Sequence, residues 1–115
     1  MVYLTRSMRI LKFDEAIEEG SKKLIAHFRT SYPQIKDMRF VWNVTGRLDE
    51  MHWLLAFDSL AAEDEWAAVV MGDPVYGEWF TAMDGKIGDI VDHLFRDIPG
   101  MQATRGFFPS PTDGA

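Results

Sequence analysis

Few residues in this 115-residue sequence have types that could carry chemistry, and His27 and Tyr76 are the clearest of them. An imidazole titrates near neutral pH, so a histidine beside a buried surface can act as a general base. His27 lies three residues after Leu24 and four before Ser31, at the edge of an apolar stripe with helical spacing. Tyr76 follows a break in a second helical pattern, where its hydroxyl could donate a hydrogen bond to a substrate oxygen. The alternatives stay open: a boundary histidine with its ring in water, and a helix-surface tyrosine.

Aromatic residues are numerous, with four Trp and eight Phe in the chain. Trp42, Trp53, Trp66 and Trp79 could together line a flat apolar site for an aromatic ligand, or they could simply form the core. Tryptophan is an awkward core residue, because a buried indole N–H needs an acceptor. The sequence leaves both interpretations open.

Arg39, Asn43 and His52 form a polar set on two adjacent predicted strands. If the turn between these strands is centred on residues 47–48, Asn43 lies opposite His52, and the three side chains share one face of the sheet. This polar cluster could bind an anionic ligand, or it could hydrogen-bond across a subunit interface.

Composition narrows the classes of partner. The net charge of −6 and the scattered basic residues argue against a nucleic-acid partner. No apolar run approaches the roughly 20 residues of a membrane span, so we expect no membrane partner. The chain has no cysteine, which excludes disulfides and thiolate chemistry and fits a reducing cytoplasm. Three dispersed histidines without a His–carboxylate motif predict no metal site.

The spacing of apolar residues predicts the first four elements. A strand covers residues 2–11, and a helix follows, with a buried stripe that runs from Phe13 to Ser31 before Pro33 ends it. Residues 38–59 then form two strands of a hairpin, in which Trp42 is expected opposite Trp53.

A second helix is predicted after the N-cap Ser59, with a break at residues 72–74. Beyond the break the helical pattern continues along an apolar stripe as far as Pro99, through Val75, Trp79, Met83, Ile87, Ile90, Leu94 and Ile98. A short final strand is expected over residues 104–108.

This order of elements is typical of an α+β, ferredoxin-like βαββαβ fold with a four-stranded antiparallel sheet and helices on one face. The hairpin carries apolar residues on both faces, so something outside the chain should cover the second face. The simplest cover is the same sheet of a second copy across a two-fold axis. We therefore expect a homodimer, a single domain over residues 1–109 and a flexible tail over residues 110–115.

The stretch "LLAFDSLAAEDEWAAVVMGDPVYGEWF" joins a strand that ends in an aromatic, a serine cap, a helical tryptophan and a "DP-Y" break. With the element order, it resembles the dimeric α/β-barrel superfamily, in particular antibiotic-biosynthesis-type monooxygenases and NIPSNAP-like proteins. The resemblance implies a barrel between the sheets of two protomers, and in each protomer a pocket between sheet and helices, toward which Phe57 points. Arg6 and Ser7 stand near the position of an asparagine in the haem-degrading branch, and no histidine follows the helix break, so that branch is not favoured.

The resemblance implies a small homodimeric enzyme that acts on a hydrophobic, aromatic or polyketide-like molecule. The reaction would be cofactor-independent oxygenation or cyclisation, so no cofactor is expected. His27 would be the base and Tyr76 a hydrogen-bond donor, between pocket walls formed by Trp42, Trp53, Phe57, Trp66 and Trp79. The alternative is a non-catalytic small-molecule-binding or accessory, chaperone-like dimer of the same fold, which the scarcity of ionisable groups on the pocket face favours. A purely structural dimer with a filled core is a third possibility.

Overall fold

The computed structural model of the chain describes residues 1–101. Its elements are β1 (Val2–Ile10), α1 (Glu15–Ser31), β2 (Ile35–Trp42), β3 (Glu50–Phe57), α2 (Leu60–Val70), α3 (Pro74–Ala82) and β4 (Ile87–Arg96). The four strands form one antiparallel sheet in the order β2-β3-β1-β4. The predicted α+β, ferredoxin-like fold is therefore confirmed. The predicted strand over residues 104–108 and the predicted tail over residues 110–115 lie outside the described residues.

The core lies between the sheet and the helices. Alternate residues of β1 are apolar and buried, as the period of two in a strand requires: Val2, Leu4, Met8 and Ile10. α1 buries a stripe at helical spacing against them, formed by Ile17, Leu24 and Phe28. Gly20 allows α1 to approach α3 closely, because a Cβ at this position would stand 2.9 Å from Met83 Cε.

Each helix begins at a side chain that accepts a hydrogen bond from a backbone N–H of the first turn, as N-cap residues do. Asp14 accepts from the Ala16 N–H, Ser59 from the Ala62 N–H and Asp73 from the Val75 N–H. The predicted cap at Ser59 and the predicted break at residues 72–74 are both confirmed. Phe13 was expected to start the buried stripe of α1, but it precedes the helix and is 72% exposed.

The second helical pattern ends earlier than the sequence predicts. α3 stops at Ala82, and the chain turns through Gly85 with φ at 74°. Residues Ile87–Arg96 then form β4 at the edge of the sheet. The prediction of a helix up to Pro99 is wrong, because a glycine at positive φ ends the helix and the apolar residues beyond it only happen to follow helical spacing. His93, which falls within the predicted helix, lies on this strand.

The register of the hairpin also differs from the prediction. Trp42 pairs with Met51 rather than Trp53, and His52 pairs with Val41 rather than Asn43. The loop is longer than assumed and includes Gly46 at a φ of 73°. Since the shift is by two residues, every side chain keeps its predicted face.

Candidate functional site

A row of four side chains crosses the sheet on its helix-facing side, one from each strand. Phe40 on β2 pairs with Trp53 on β3, Trp53 pairs with Arg6 on β1, and Arg6 pairs with Asp92 on β4. The rings of Phe40 and Trp53 stack with centroids 4.8 Å apart and an interplanar angle of 7°. The guanidinium carbon of Arg6 lies 4.7 Å from the centroid of the Trp53 ring, at the distance of a cation–π contact.

The row contains two charged residues, and Arg6 is the one that the helices cover. Its side chain is only 12% exposed. Its Nε and Nη2 donate to the two carboxylate oxygens of Asp92 at 2.8 and 2.9 Å. Burial by itself lowers the pKa of Arg6, but the hydrogen bonds with Asp92 and Tyr76 outweigh it and raise the pKa above its ordinary value. The guanidinium is therefore a permanent cation inside an aromatic surrounding.

Tyr76 on α3 covers this cation. Arg6 Nη1 donates to the Tyr76 hydroxyl oxygen at 2.5 Å. An arginine N–H can only donate, so the hydroxyl acts as acceptor and its own proton stays available for a further acceptor. Within residues 1–101 no hydrogen bond from that hydroxyl to another group is found. The arrangement can thus place a hydroxyl donor, supported by a cation, against a ligand oxygen.

The predicted tryptophan cluster forms in part. Trp53, Trp66 and Trp79 are each at most 3% exposed, and the rings of Trp53 and Trp79 lie 4.9 Å apart. Phe57 is fully buried and contacts the Trp66 ring at 5.4 Å. Trp42 stands apart from this cluster at the end of β2, with half of its surface exposed.

The three buried indoles have an unusual property. Among the described residues, the ring N–H groups of Trp53, Trp66 and Trp79 have no hydrogen-bond partner. Buried polar groups normally find one, and a group left without it raises the free energy of the folded state. Two of these donors belong to rings beside Tyr76, so this part of the core is rich in donors that lack acceptors.

His27 occupies a different place, at the junction between α1 and the start of α3. Its Nε2 lies 2.6 Å from Asp73 Oδ2, which also accepts the Tyr32 hydroxyl at 2.5 Å. Burial alone raises the pKa of Asp73, but the hydrogen bonds from Tyr32 and His27 outweigh it and hold the pKa below its ordinary value. The structure does not bring His27 and Tyr76 together: no hydrogen bond or ring contact joins them within residues 1–101.

The predicted polar cluster also forms in part, on the outer face of the sheet. His52 Nε2 lies 2.6 Å from Asn43 Oδ1, so these two side chains meet although their strand positions are not opposite each other. Arg39 instead donates through Nε to Asp37 Oδ2 at 3.0 Å. The cluster is therefore a pair, with Arg39 bound to a neighbour on its own strand.

Ser7 on β1 extends this pair into a hydrogen-bonded chain. Asn43 Nδ2 donates to the Arg47 carbonyl oxygen at 2.6 Å, which directs its Oδ1 toward His52. That oxygen can only accept, so a neutral His52 carries its proton on Nε2 and its Nδ1 accepts from the Ser7 hydroxyl, 2.8 Å away. From the sequence Ser7 was noted only near the position of an asparagine, and its link to this pair was missed; the signal for that link is its place on the same face of the sheet as His52.

The roles of Arg6, noted only near the position of an asparagine, and of Asp92 were missed for different reasons. Arg6 occupies a position in β1 whose alternate neighbours are all apolar, so a charge there was a readable signal of a buried polar site. Asp92 could not be found, because the stretch that contains it was predicted to be helical, and only strand pairing places it opposite Arg6.

Within residues 1–101 there is no group of three or more His, Asp or Glu side chains that could hold a metal ion. None of the helices described is long and apolar enough to cross a membrane.

The fold and this arrangement define a ferredoxin-like domain with a buried cation beneath its third helix. No protein-family model and no curated protein matches the sequence. Solved structures do match. SnoaB, a cofactor-independent oxygenase from Streptomyces nogalater, superposes with a TM-score of 0.68 at 12% identity, covering 89% of this chain and 97% of its own. A NIPSNAP domain protein from Burkholderia xenovorans gives 0.64 at 13% identity, with 90% and 100% covered.

A third match, an antibiotic biosynthesis monooxygenase, gives a TM-score of 0.63 at 14% identity over 86% of this chain and 100% of that one. The chain thus has the ferredoxin-like fold of the superfamily that the sequence resembles. Identities this low establish a shared fold, and activity has to be argued from this chain's own residues.

Proposed function

We propose that the chain is a small homodimeric enzyme that acts on a hydrophobic, aromatic or polyketide-like molecule by cofactor-independent oxygenation or by cyclisation. The observation that carries the proposal is the group of Arg6, Tyr76 and Asp92 beside aromatic rings, in which Tyr76 is buried and the Arg6 side chain is only 12% exposed. Such a group can hold a planar molecule and stabilise negative charge on one of its oxygens. A reducing, cytoplasmic location, which the lack of cysteine suggests, belongs to the same proposal.

In an oxygenation, a base removes an acidic C–H proton from the substrate, and the resulting enolate reacts with molecular oxygen. A methylene group and O₂ then become a carbonyl and water, so no other oxidant is needed. Tyr76 would donate its hydroxyl proton in a hydrogen bond to the enolate oxygen, and Arg6 would stabilise the charge through Tyr76 and directly. In a cyclisation the same enolate would attack a second carbonyl of the substrate.

Two groups are candidates for the base. His27 is the imidazole predicted from the sequence, and its Nε2 lies 2.6 Å from Asp73 Oδ2. Asp92 is the carboxylate that lies beside Arg6 and is 43% exposed, so a substrate at the edge of β4 would reach it. The wall residues of the proposal are four of those predicted, Trp53, Phe57, Trp66 and Trp79; the fifth, Trp42, stands apart from them at the end of β2. Trp53 and Trp79 are the nearest of them to Tyr76.

Anthrone, a tricyclic ketone with an acidic methylene group, is a suitable test substrate. Oxygen uptake and anthraquinone formation would be followed for the wild type and for Tyr76→Phe, Asp92→Asn and His27→Ala. We expect Tyr76→Phe to lower turnover at least tenfold, as the loss of one donor to a developing oxyanion does. Tyr3→Phe, on the outer face of the sheet, is the control and keeps its turnover. Whichever of Asp92→Asn and His27→Ala abolishes turnover identifies the base.

The second candidate is a non-catalytic small-molecule-binding or accessory dimer. It is favoured by the close packing of the aromatic core, in which Trp53 and Phe57 are fully buried. The same experiment separates the two: saturable binding of anthrone without oxygen uptake above the protein-free rate supports the binding module and contradicts the enzyme.

A further inference from the structure

A groove between α1 and the edge of the sheet lies away from Arg6 and Tyr76. It has a volume of about 190 Å³. α1 supplies one wall and the end of β2, with one residue of β3, the other: Glu18, Ser21, Lys22 and Ile25 face Phe40, Val41, Trp42 and Met51. Nothing in the proposed oxygenation or cyclisation requires this groove.

Trp42 gives the groove an aromatic wall that is open to solvent. Its side chain is 51% exposed, whereas Trp53, Trp66 and Trp79 are each at most 3% exposed. Trp42 is also the last residue of β2, an edge strand, so no further strand covers it within the described sheet. A planar ligand in the groove can therefore stack on an indole ring without displacing core side chains.

Ser21 gives the groove a polar group that lacks a partner. The residue is 6% exposed, and within the described part of the chain its hydroxyl forms no hydrogen bond. Helix hydroxyls usually bond to the carbonyl one turn earlier. Thr30 and Thr81 do so, donating to the carbonyl oxygens of Ala26 and Gly77. Ser21 does not, so a buried hydroxyl that can donate or accept stands at the wall of an apolar groove.

The charges beside the groove cancel. Lys22 Nζ lies 3.2 Å from Glu18 Oε1, and both side chains are largely exposed. The pair presents no net charge to a ligand, so the groove offers no advantage to an anion or a cation. The remaining walls are apolar or aromatic.

We propose that this groove is a second binding site, for an uncharged aromatic molecule of one or two rings that carries a hydroxyl or carbonyl group. The ring would stack on Trp42 and the oxygen would pair with the Ser21 hydroxyl. The volume sets the size, because a cavity of about 150 Å³ suffices for benzene. Binding here is independent of the reaction proposed for the Tyr76 site.

The test uses 2-naphthol and, as a ligand without the hydroxyl, naphthalene. Both would be titrated into ¹⁵N-labelled protein while the indole N–H signals are recorded, with the Trp42 signal assigned by its loss in Trp42→Phe. We expect 2-naphthol to shift the Trp42 indole and the Ser21 amide signals saturably. Naphthalene should bind roughly three- to tenfold more weakly, the effect of one hydrogen bond.

In Ser21→Ala, 2-naphthol and naphthalene should bind with nearly the same affinity. The control is Ser31→Ala, a change on the same helix outside the groove, which should leave the ratio of the two affinities as it is in the wild type. Ser21→Ala removes an unpartnered buried hydroxyl, so the variant should fold at least as stably as the wild type. Equal affinity of the wild type for both ligands overturns the proposal. So does the absence of shifts, or a shift of the Trp53 or Trp79 indole signals without Trp42; that last result would place the ligand at the Tyr76 site instead.

Discussion

Asp73 is the side chain on which the junction of α1 and α3 depends. One of its oxygens accepts from the Val75 N–H at the start of α3, and the other faces both His27 and Tyr32. A single buried carboxylate thus begins the helix that carries Tyr76 and ties that helix to α1. The lowered pKa of Asp73 means that this contribution to stability is present at neutral pH and is lost only as acid protonates the carboxylate.

At alkaline pH, the raised pKa of Tyr32 predicts a loss of stability. Burial and the hydrogen bond to Asp73 raise its pKa to about 12 in the folded chain, against about 10 in the unfolded chain. The unfolded state therefore loses the proton first, and the free energy of unfolding should fall as pH rises from 10 to 12. Urea unfolding between pH 9 and 11.5 should show a smaller fall for Tyr32→Phe than for the wild type. Tyr3, whose pKa is also raised, contributes equally to both proteins. If the free energy of unfolding fell equally with pH in the wild type and in Tyr32→Phe, Tyr32 would not be the group responsible.

At the scale of the elements, the end of α3 matters most, because α3 must stop at Ala82 for β4 to begin at Ile87 and join the sheet. Gly85 adopts a φ of 74°, where alanine is strained, whereas Gly77 lies inside α3 with open space around its Cα. We expect Gly85→Ala to destabilise the fold by about 1 kcal/mol and Gly77→Ala to stabilise it by about 0.5–1 kcal/mol. Thermal or urea unfolding of the two variants measures both. If Gly85→Ala were stabilising, the helix would continue through residue 85.

How far the sequence predicts this molecule differs from element to element. The first six elements follow from local signals, since α1, the hairpin and the break at residues 72–74 are marked by stripes, caps and a proline. β4 could not be predicted in this way, because Ile87, Ile90 and Leu94 also fit a helical stripe and only pairing with β1 distinguishes the two structures. The same holds for the candidate site. The tryptophans and Tyr76 could be identified from the sequence, whereas the contact between Arg6 and Asp92 could be predicted only from the order of the strands.

The whole molecule presents a sheet face that the helices do not cover. Val91 and Phe95 on β4 lie on this outer face, opposite Ser7 and Tyr3, and each is about half exposed. Exposed apolar side chains on the free face of a sheet fit the homodimer that we propose, in which a second copy would bury them.

The dimer prediction uses a matched pair of phenylalanines. Phe95→Asp should convert a dimer of twice 13.2 kDa into a monomer, because a charge would have to be buried in the interface. Phe13→Asp changes a phenylalanine that lies off the sheet before α1 and is more exposed than Phe95, at 72% against 51%, and it should leave the dimer intact. Native mass spectrometry distinguishes the two masses. A wild-type protein that is monomeric at micromolar concentration would contradict the proposed assembly.

The position of β1 in the sheet has a consequence for the growing chain on the ribosome. β1 is made before the other three strands, yet it lies in the interior of the sheet, between β3 and β4. Its second neighbour is complete only when Arg96 has been added. At typical rates of synthesis, roughly 4–17 s separate Ile10 from Arg96. During that interval the backbone edge of β1 that will pair with β4 has no partner strand. This edge is then open to chaperones or to another nascent chain.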